Sequence, residues 1–160
     1  MSLNSKYSIY GNVNIKIIDS PTRQREYNYH NSGTEEFFKY LLTMMLSGET
    51  NINQRPGHID IIGDDGSSLL SQTVLYSDTT RIETAGGKDP YAKVSYNFFI
   101  PYTLIKNKSR DSFKKLLLKS IDSSKTYAEL ELAKGLTLTS TSNIEATWTI
   151  KLSNGNEATV

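Results

Sequence analysis

The sequence predicts a mainly β protein, an antiparallel β-sandwich of jelly-roll or Ig-like type with one buried α-helix near residues 33–47. Two observations carry this. Five stretches place apolar residues at every second position, the clearest being Ile144, Ala146, Trp148, Ile150 and Leu152, with Glu145, Thr147, Thr149 and Lys151 between them. Strict alternation buries one face of a strand and leaves the other polar. A single segment instead carries the wide apolar pattern of an enclosed helix.

Tyr7, Ile9, Val13, Ile15 and Ile17 occupy odd positions and predict a long first strand ending at the turn Asp19, Ser20, Pro21. Gly11 interrupts it and suggests a bulge. A short strand over 23–29 returns antiparallel, with Tyr27 and Tyr29 on one face and Arg25 nearby. Ser32 stands three residues before Glu35, the spacing of a capping box, and Gly48 follows the last apolar residue, so the helix spans 33–47. Lys39, Thr43 and Ser47 form a narrow polar stripe, and the rest of the circumference is apolar, wider than the ~100° face of a surface helix. Such a helix is either sunk between a sheet and its loops or packed on a sheet and also on another subunit.

A loop over 49–56 leads to a short strand over 58–63, stopped by Asp64, Asp65 and Gly66. Strands over 72–83 and 91–100 follow, separated by a loop from Ala85 to Pro90. Residues 113–121 hold Leu116, Leu117 and Leu118 and suit either a strand or a short helix; the short run favours a strand. Ala128, Leu130, Leu132, Leu136 and Leu138 alternate with polar neighbours, and Gly135 marks a bulge or bend. The last strand covers 144–152, and Ser153 to Asn156 read as a turn. There is no internal repeat or linker, so residues 1–160 form one domain.

At 160 residues a core forms without staples. Eighteen Lys and Arg against 17 Asp and Glu give a net charge of +1, too little to gather nucleic acid. No Cys is present, which excludes thiolate chemistry and fits a reducing compartment. The N-terminus lacks a signal-peptide pattern, and no apolar run reaches the ~18 to 20 residues of a membrane span, so a soluble protein is expected.

Asp60, Asp64 and Asp65 form the most metal-like group, because carboxylates in a Gly-containing loop can hold Ca²⁺ or Mg²⁺. Their spacing does not match a calcium loop, Asp-Asp-Gly is also an ordinary turn, and no cofactor is expected. His30 and His58, the only histidines, lack the G-x-S-x-G turn that would mark a hydrolase elbow. Lys106, Lys108, Arg110, Lys114, Lys115 and Lys119 form a basic cluster, read as a solvated edge or a contact for phosphate or an acidic surface. Ten tyrosines against five phenylalanines point to core rims and to protein-contacting surfaces.

In order and spacing, the helix NSGTEEFFKYLLTMMLSGE, the strand RPGHIDIIGDDG, the strand NFFIPYTLI and the closing run KKLLLKSIDSSKTYAELELAKGLTLTSTSNIEATWTIKLSN resemble small virion structural proteins of tailed bacteriophages. The resemblance covers about residues 30–153. It departs from the usual pattern at Lys114 and Lys115, where an acidic residue and glycine are expected, and in the longer loop at Asp64 and Asp65. It implies a non-enzymatic accessory component of the capsid, neck or tail, made in the host cytoplasm and residing in the virion. Its partners would be other virion proteins and copies of itself, with no sequence-specific nucleic acid and no membrane. Contacts would concentrate on the helix flank at Phe38, Leu42 and Met45 and on Tyr27, Tyr29 and Tyr127. The alternative is a carbohydrate-binding module whose tyrosines stack on sugar rings, and a third reading is a hydrolase assembled in space around His30 or His58.

Overall fold

The computed structural model describes residues 8–47, 52–64, 66, 68–73, 81–87, 90–105 and 112–153. Strand β1 (Ser8–Ser20) turns at Pro21 and Thr22 into β2 (Arg23–Gly33). The hairpin register sets Val13 opposite Tyr29 and Ile15 opposite Tyr27. On its other side β1 pairs with the last strand, β9 (Asn143–Ser153), with Val13 opposite Trp148 and Ile15 opposite Ala146. Next comes β6 (Tyr91–Ile100), with Tyr96 opposite Trp148, and then β5 (Arg81–Ala85) at the edge. The second sheet comprises β4 (Ser68–Thr73), β3 (Pro56–Gly63), β7 (Ser112–Ser120) and β8 (Thr126–Thr137). Two residue pairs, Ser32 with Glu129 and Gly33 with Ala128, join β2 to β8 and make the hydrogen-bonded order β4-β3-β7-β8-β2-β1-β9-β6-β5. All pairings are antiparallel, and the architecture is the predicted antiparallel β-sandwich with a small helix.

The alternating positions supply the core. Val13, Ile15 and Ile17 from β1, Ile144, Ala146 and Trp148 from β9, and Phe98 and Ile100 from β6 join Ile59, Ile61, Phe113, Leu116, Leu118, Tyr127 and Leu130 of the second sheet in one buried cluster. Asp19 keeps the inward phase of β1 and is buried as a carboxylate. Arg25 Nε and Nη2 donate to its two oxygens at 2.9 and 3.1 Å, and Ser142 Oγ donates at 2.6 Å. Arg25 Nη2 also donates to the Thr137 carbonyl at 2.6 Å, so one ion pair clasps the β1–β2 hairpin to the end of β8.

Helix α1 (Glu35–Ser47) begins two residues later than the capping box implies. Ser32 belongs to β2, and Thr34 caps instead: its Oγ1 accepts from the Phe37 amide at 3.3 Å and donates to the Thr126 carbonyl at 2.5 Å. Strand pairing at Ser32 and Gly33 takes the residues that local spacing assigned to the helix. Burial of α1 also differs from expectation, being one-sided. Phe37 is buried and Tyr40 and Leu41 half-buried, whereas Leu42, Met45 and Leu46 are 63%, 81% and 91% exposed.

Two further expectations change. The single strand over 72–83 is two strands, β4 and β5, at opposite ends of the order, with residues 74–80 outside those described. Gly11 is not a bulge, because its pairings to β2 and β9 run without a break. The Asn31 side chain lies across it, and a Cβ there would stand 2.8 Å from Asn31 Cγ. The expected irregularity at Gly135 is present: the β7–β8 register passes from Lys115 opposite Glu131 to Phe113 opposite Leu136. The segment expected as a strand over 113–121 is one, β7, which ends at Ser120 with Ile121 in the turn, and a short α2 (Tyr102–Ile105) follows Pro101. The expected turn after Ser153 lies outside the described residues.

Candidate interaction site

Concavity and exposed apolar surface coincide where β1, the end of β2 and the start of α1 meet. A groove of about 380 Å³ is lined by Ile9, Tyr10, Gly11, His30, Asn31, Gly33 and Phe38. The missing side chains of Gly11 and Gly33 help to shape it. A Cβ on Gly33 would come within 3.3 Å of Phe37, so glycine lets the helix approach the strand. Phe38, at one wall, is also the first member of a stripe, Phe38, Leu42 and Met45, at the i, i+4, i+7 spacing of one helix face. All three are exposed. Groove and stripe therefore form a continuous surface with an apolar rim and a few polar groups, suited to binding.

The helix beneath is anchored by rings. Tyr127 packs against Tyr40 with centroids 5.2 Å apart and against Phe37 at 6.0 Å, edge to face. Its hydroxyl donates to the Gln54 carbonyl at 2.6 Å, and burial pushes its pKa up to about 12. Tyr127 is thus part of the core and withdrawn from any partner. Tyr27 and Tyr29 face inward opposite Ile15 and Val13, stacked at 6.4 Å and half-buried, and burial raises the Tyr29 pKa. Of the three tyrosines singled out as contact residues, Tyr27 and Tyr29 turn inward because they share the phase of the apolar residues across the sheet, whereas Tyr127, out of phase with Ala128 and Leu130 at a break in the β7–β8 register, is buried beneath Phe37 and Tyr40 of the helix.

The candidate metal carboxylates do not converge. Asp60 is buried, with Oδ1 at 2.9 Å from His58 Nε2 and Oδ2 at 2.7 Å from Lys119 Nζ. Asp64 accepts from Ser112 Oγ, and Asp65 lies outside the described residues. Among the described residues no three His, Asp or Glu side chains are placed to hold an ion. The two histidines sit on different sheets, His58 against Asp60 and His30 at the groove. The basic cluster is divided as well: Lys119 binds Asp60, Lys115 binds Glu129 at 2.9 Å, Lys114 is exposed, and Lys106, Lys108 and Arg110 fall outside the described residues. Sequence reading found Phe38, Leu42 and Met45 but missed Ile9, Tyr10, Asn31 and the two glycines. Their signal is glycine inside strand patterns, where a neighbour approaches closely.

The fold and this surface define an antiparallel β-sandwich carrying a partly uncovered apolar helix beside a groove. No protein-family model, curated protein or solved structure matches the chain. No helix among the described residues is long and apolar enough to cross a membrane.

Proposed function

We propose that this chain is a non-enzymatic structural protein of a bacteriophage virion, an accessory component of the capsid, neck or tail that works through protein–protein contacts. The supporting observation is the exposed stripe Phe38, Leu42 and Met45, flanked by Met44 and Leu46 and running into the groove. Isolated exposed apolar side chains are ordinary, but a contiguous row on one helix face favours a covering partner. The phage assignment rests on the resemblance in element order over residues 30–153. Copies of this chain and other virion proteins are the partners in this reading, and the rigid sandwich holds the helix at a constant angle to them.

Light scattering across a tenfold concentration range, with wild type and a Leu42→Glu, Met45→Glu double variant, tests the contact surface. The expected result is a wild-type oligomer, or wild-type incorporation into particles, that the double variant loses while its unfolding transition stays unchanged. A variant that assembles like wild type removes the stripe from the proposal.

A further inference from the structure

The outer face of the first sheet carries a second feature. Register places Asn28, Asn14, Thr147 and Asn97 side by side across β2, β1, β9 and β6, and the next row holds His30, Asn12, Thr149 and Ser95. At ~4.8 Å between strands and ~6.8 Å between same-face neighbours, these rows make a field roughly 14 Å by 7 Å, the footprint of a short oligosaccharide. Charged rows frame it, with Glu26, Lys16 and Glu145 on one side and, on the other, Lys93 and a buried Lys151 whose ammonium lies 4.4 Å from the centre of the Tyr91 ring. Phe99 stands at its corner, two residues beyond Asn97 and opposite Glu145, and is 50% exposed.

A solvated strand face requires only polarity, which Thr, Lys and Glu supply. Asn is disfavoured in strands, yet Asn12, Asn14, Asn28 and Asn97 all occupy strand interiors on this one face. Their side chains are also oriented by one another. Asn14 Nδ2 donates to Asn28 Oδ1 at 2.9 Å and to Glu26 Oε1 at 2.8 Å, Thr147 Oγ1 donates to Asn97 Oδ1 at 2.8 Å, and the Ser95 and Thr149 hydroxyls are 3.1 Å apart. Amides and hydroxyls each present donors and acceptors, as sugar hydroxyls do, and groups already held in place lose little freedom on binding. An exposed ring beside such a field suits the apolar face of a pyranose.

We infer that the Asn- and Thr-rich outer face of β2, β1, β9 and β6 is a binding surface for a neutral glycan, with Phe99 as its stacking platform. The surface meets the groove at His30 but holds no residue of the stripe Phe38, Leu42 and Met45, so the chain would join a protein-contacting face to a sugar-contacting one. The lack of net charge over the two rows selects against sulfated and uronic-acid polymers.

The test is a printed panel of neutral hexose and N-acetylhexosamine oligosaccharides beside sulfated and uronic-acid ones, followed by titration of the best neutral oligosaccharide into wild type, Phe99→Ala and an Asn97→Leu, Thr147→Val double variant. Retention of a neutral oligosaccharide is expected, with about tenfold or greater weakening in both variants. The Leu42→Glu, Met45→Glu variant should bind it like wild type, which separates this surface from the assembly contact. Phe99 is half exposed, so its truncation tests binding even where the double variant unfolds. Retention of no neutral glycan, preference for the charged polymers, or unchanged affinity in Phe99→Ala would each overturn the inference.

Discussion

The outer faces of the two sheets arise from the same alternation and hold different chemistry. On the second sheet, charged side chains among the described residues pair internally: His58 and Lys119 both engage the buried Asp60, and Lys115 engages Glu129. On the first sheet, the central rows are uncharged amides and hydroxyls, tied to each other yet still offering hydrogen bonds outward. A polar face in a strand pattern thus has two destinations. One is charge that the fold must neutralise; the other is a set of neutral groups available to a ligand.

The largest effect should separate these faces. Asp60→Ala leaves Lys119 and His58 beside a lost carboxylate in a largely dry site and should cost about 3 kcal/mol, whereas Asn14→Ala on the open face should cost within about 0.5 kcal/mol. Urea unfolding of both variants measures this, and equal costs would break the contrast.

Arg25→Met should come next, at about 2 kcal/mol, because it strips the buried Asp19 of two hydrogen bonds and frees the end of β8. The Arg25 hydrogen bonds hold the Asp19 carboxyl below its ordinary value of 3.8. With the folded value depressed, the stabilisation is complete above the unfolded value and is lost as pH falls through the folded one. Wild-type urea midpoints should therefore drop between about pH 5 and pH 2, and Arg25→Met should flatten that limb.

Asp122 offers a milder acid response outside the core. Hydrogen bonds from Ser120 and Ser124 hold its carboxyl at about 2, so its contribution is present above the ordinary value near 3.8 and fades toward pH 2. An Asp122→Asn variant should lose that part of the acid dependence, with a lower midpoint than wild type at pH 7 and a gap that closes toward pH 2.

Smallest of all, Lys115→Ala should shift stability by no more than about 0.5 kcal/mol, since the Lys115–Glu129 pair is partly solvated. A shift as large as that of Asp60→Ala would mean that exposure does not grade the pairs on this face.

Most strands and their inward residues were legible, because period-2 burial is a local signal: Ile144, Ala146, Trp148 and Ile150 are buried as the alternation requires, and it fails only at the strand's end, where Lys151 is buried and Leu152 exposed. The tyrosines turned out less exposed than residue type suggests, because Tyr27 and Tyr29 lie opposite Ile15 and Val13 and are half-buried, and Tyr127 is covered by the helix. The helix start was misplaced because Ser32 and Gly33 pair with residues about 95 positions away, at Glu129 and Ala128. In the candidate site, the helix stripe could be read from spacing alone. The groove could not, since it needs Ile9, Asn31 and Phe38 brought together from three elements.

The amino-acid order alone determined the β class, the extent of most strands, the presence of the helix α1 and the phase of the core, all of which depend on residues within a few positions of one another. Only the tertiary structure decided which strands are neighbours. That choice buries Asp60 beside Lys119, leaves one flank of α1 bare, and aligns four strands' amides and hydroxyls into one field. Strand pairing between residues far apart in the chain is selected by the total burial and hydrogen bonding of the whole sandwich, and no local window of sequence contains that sum.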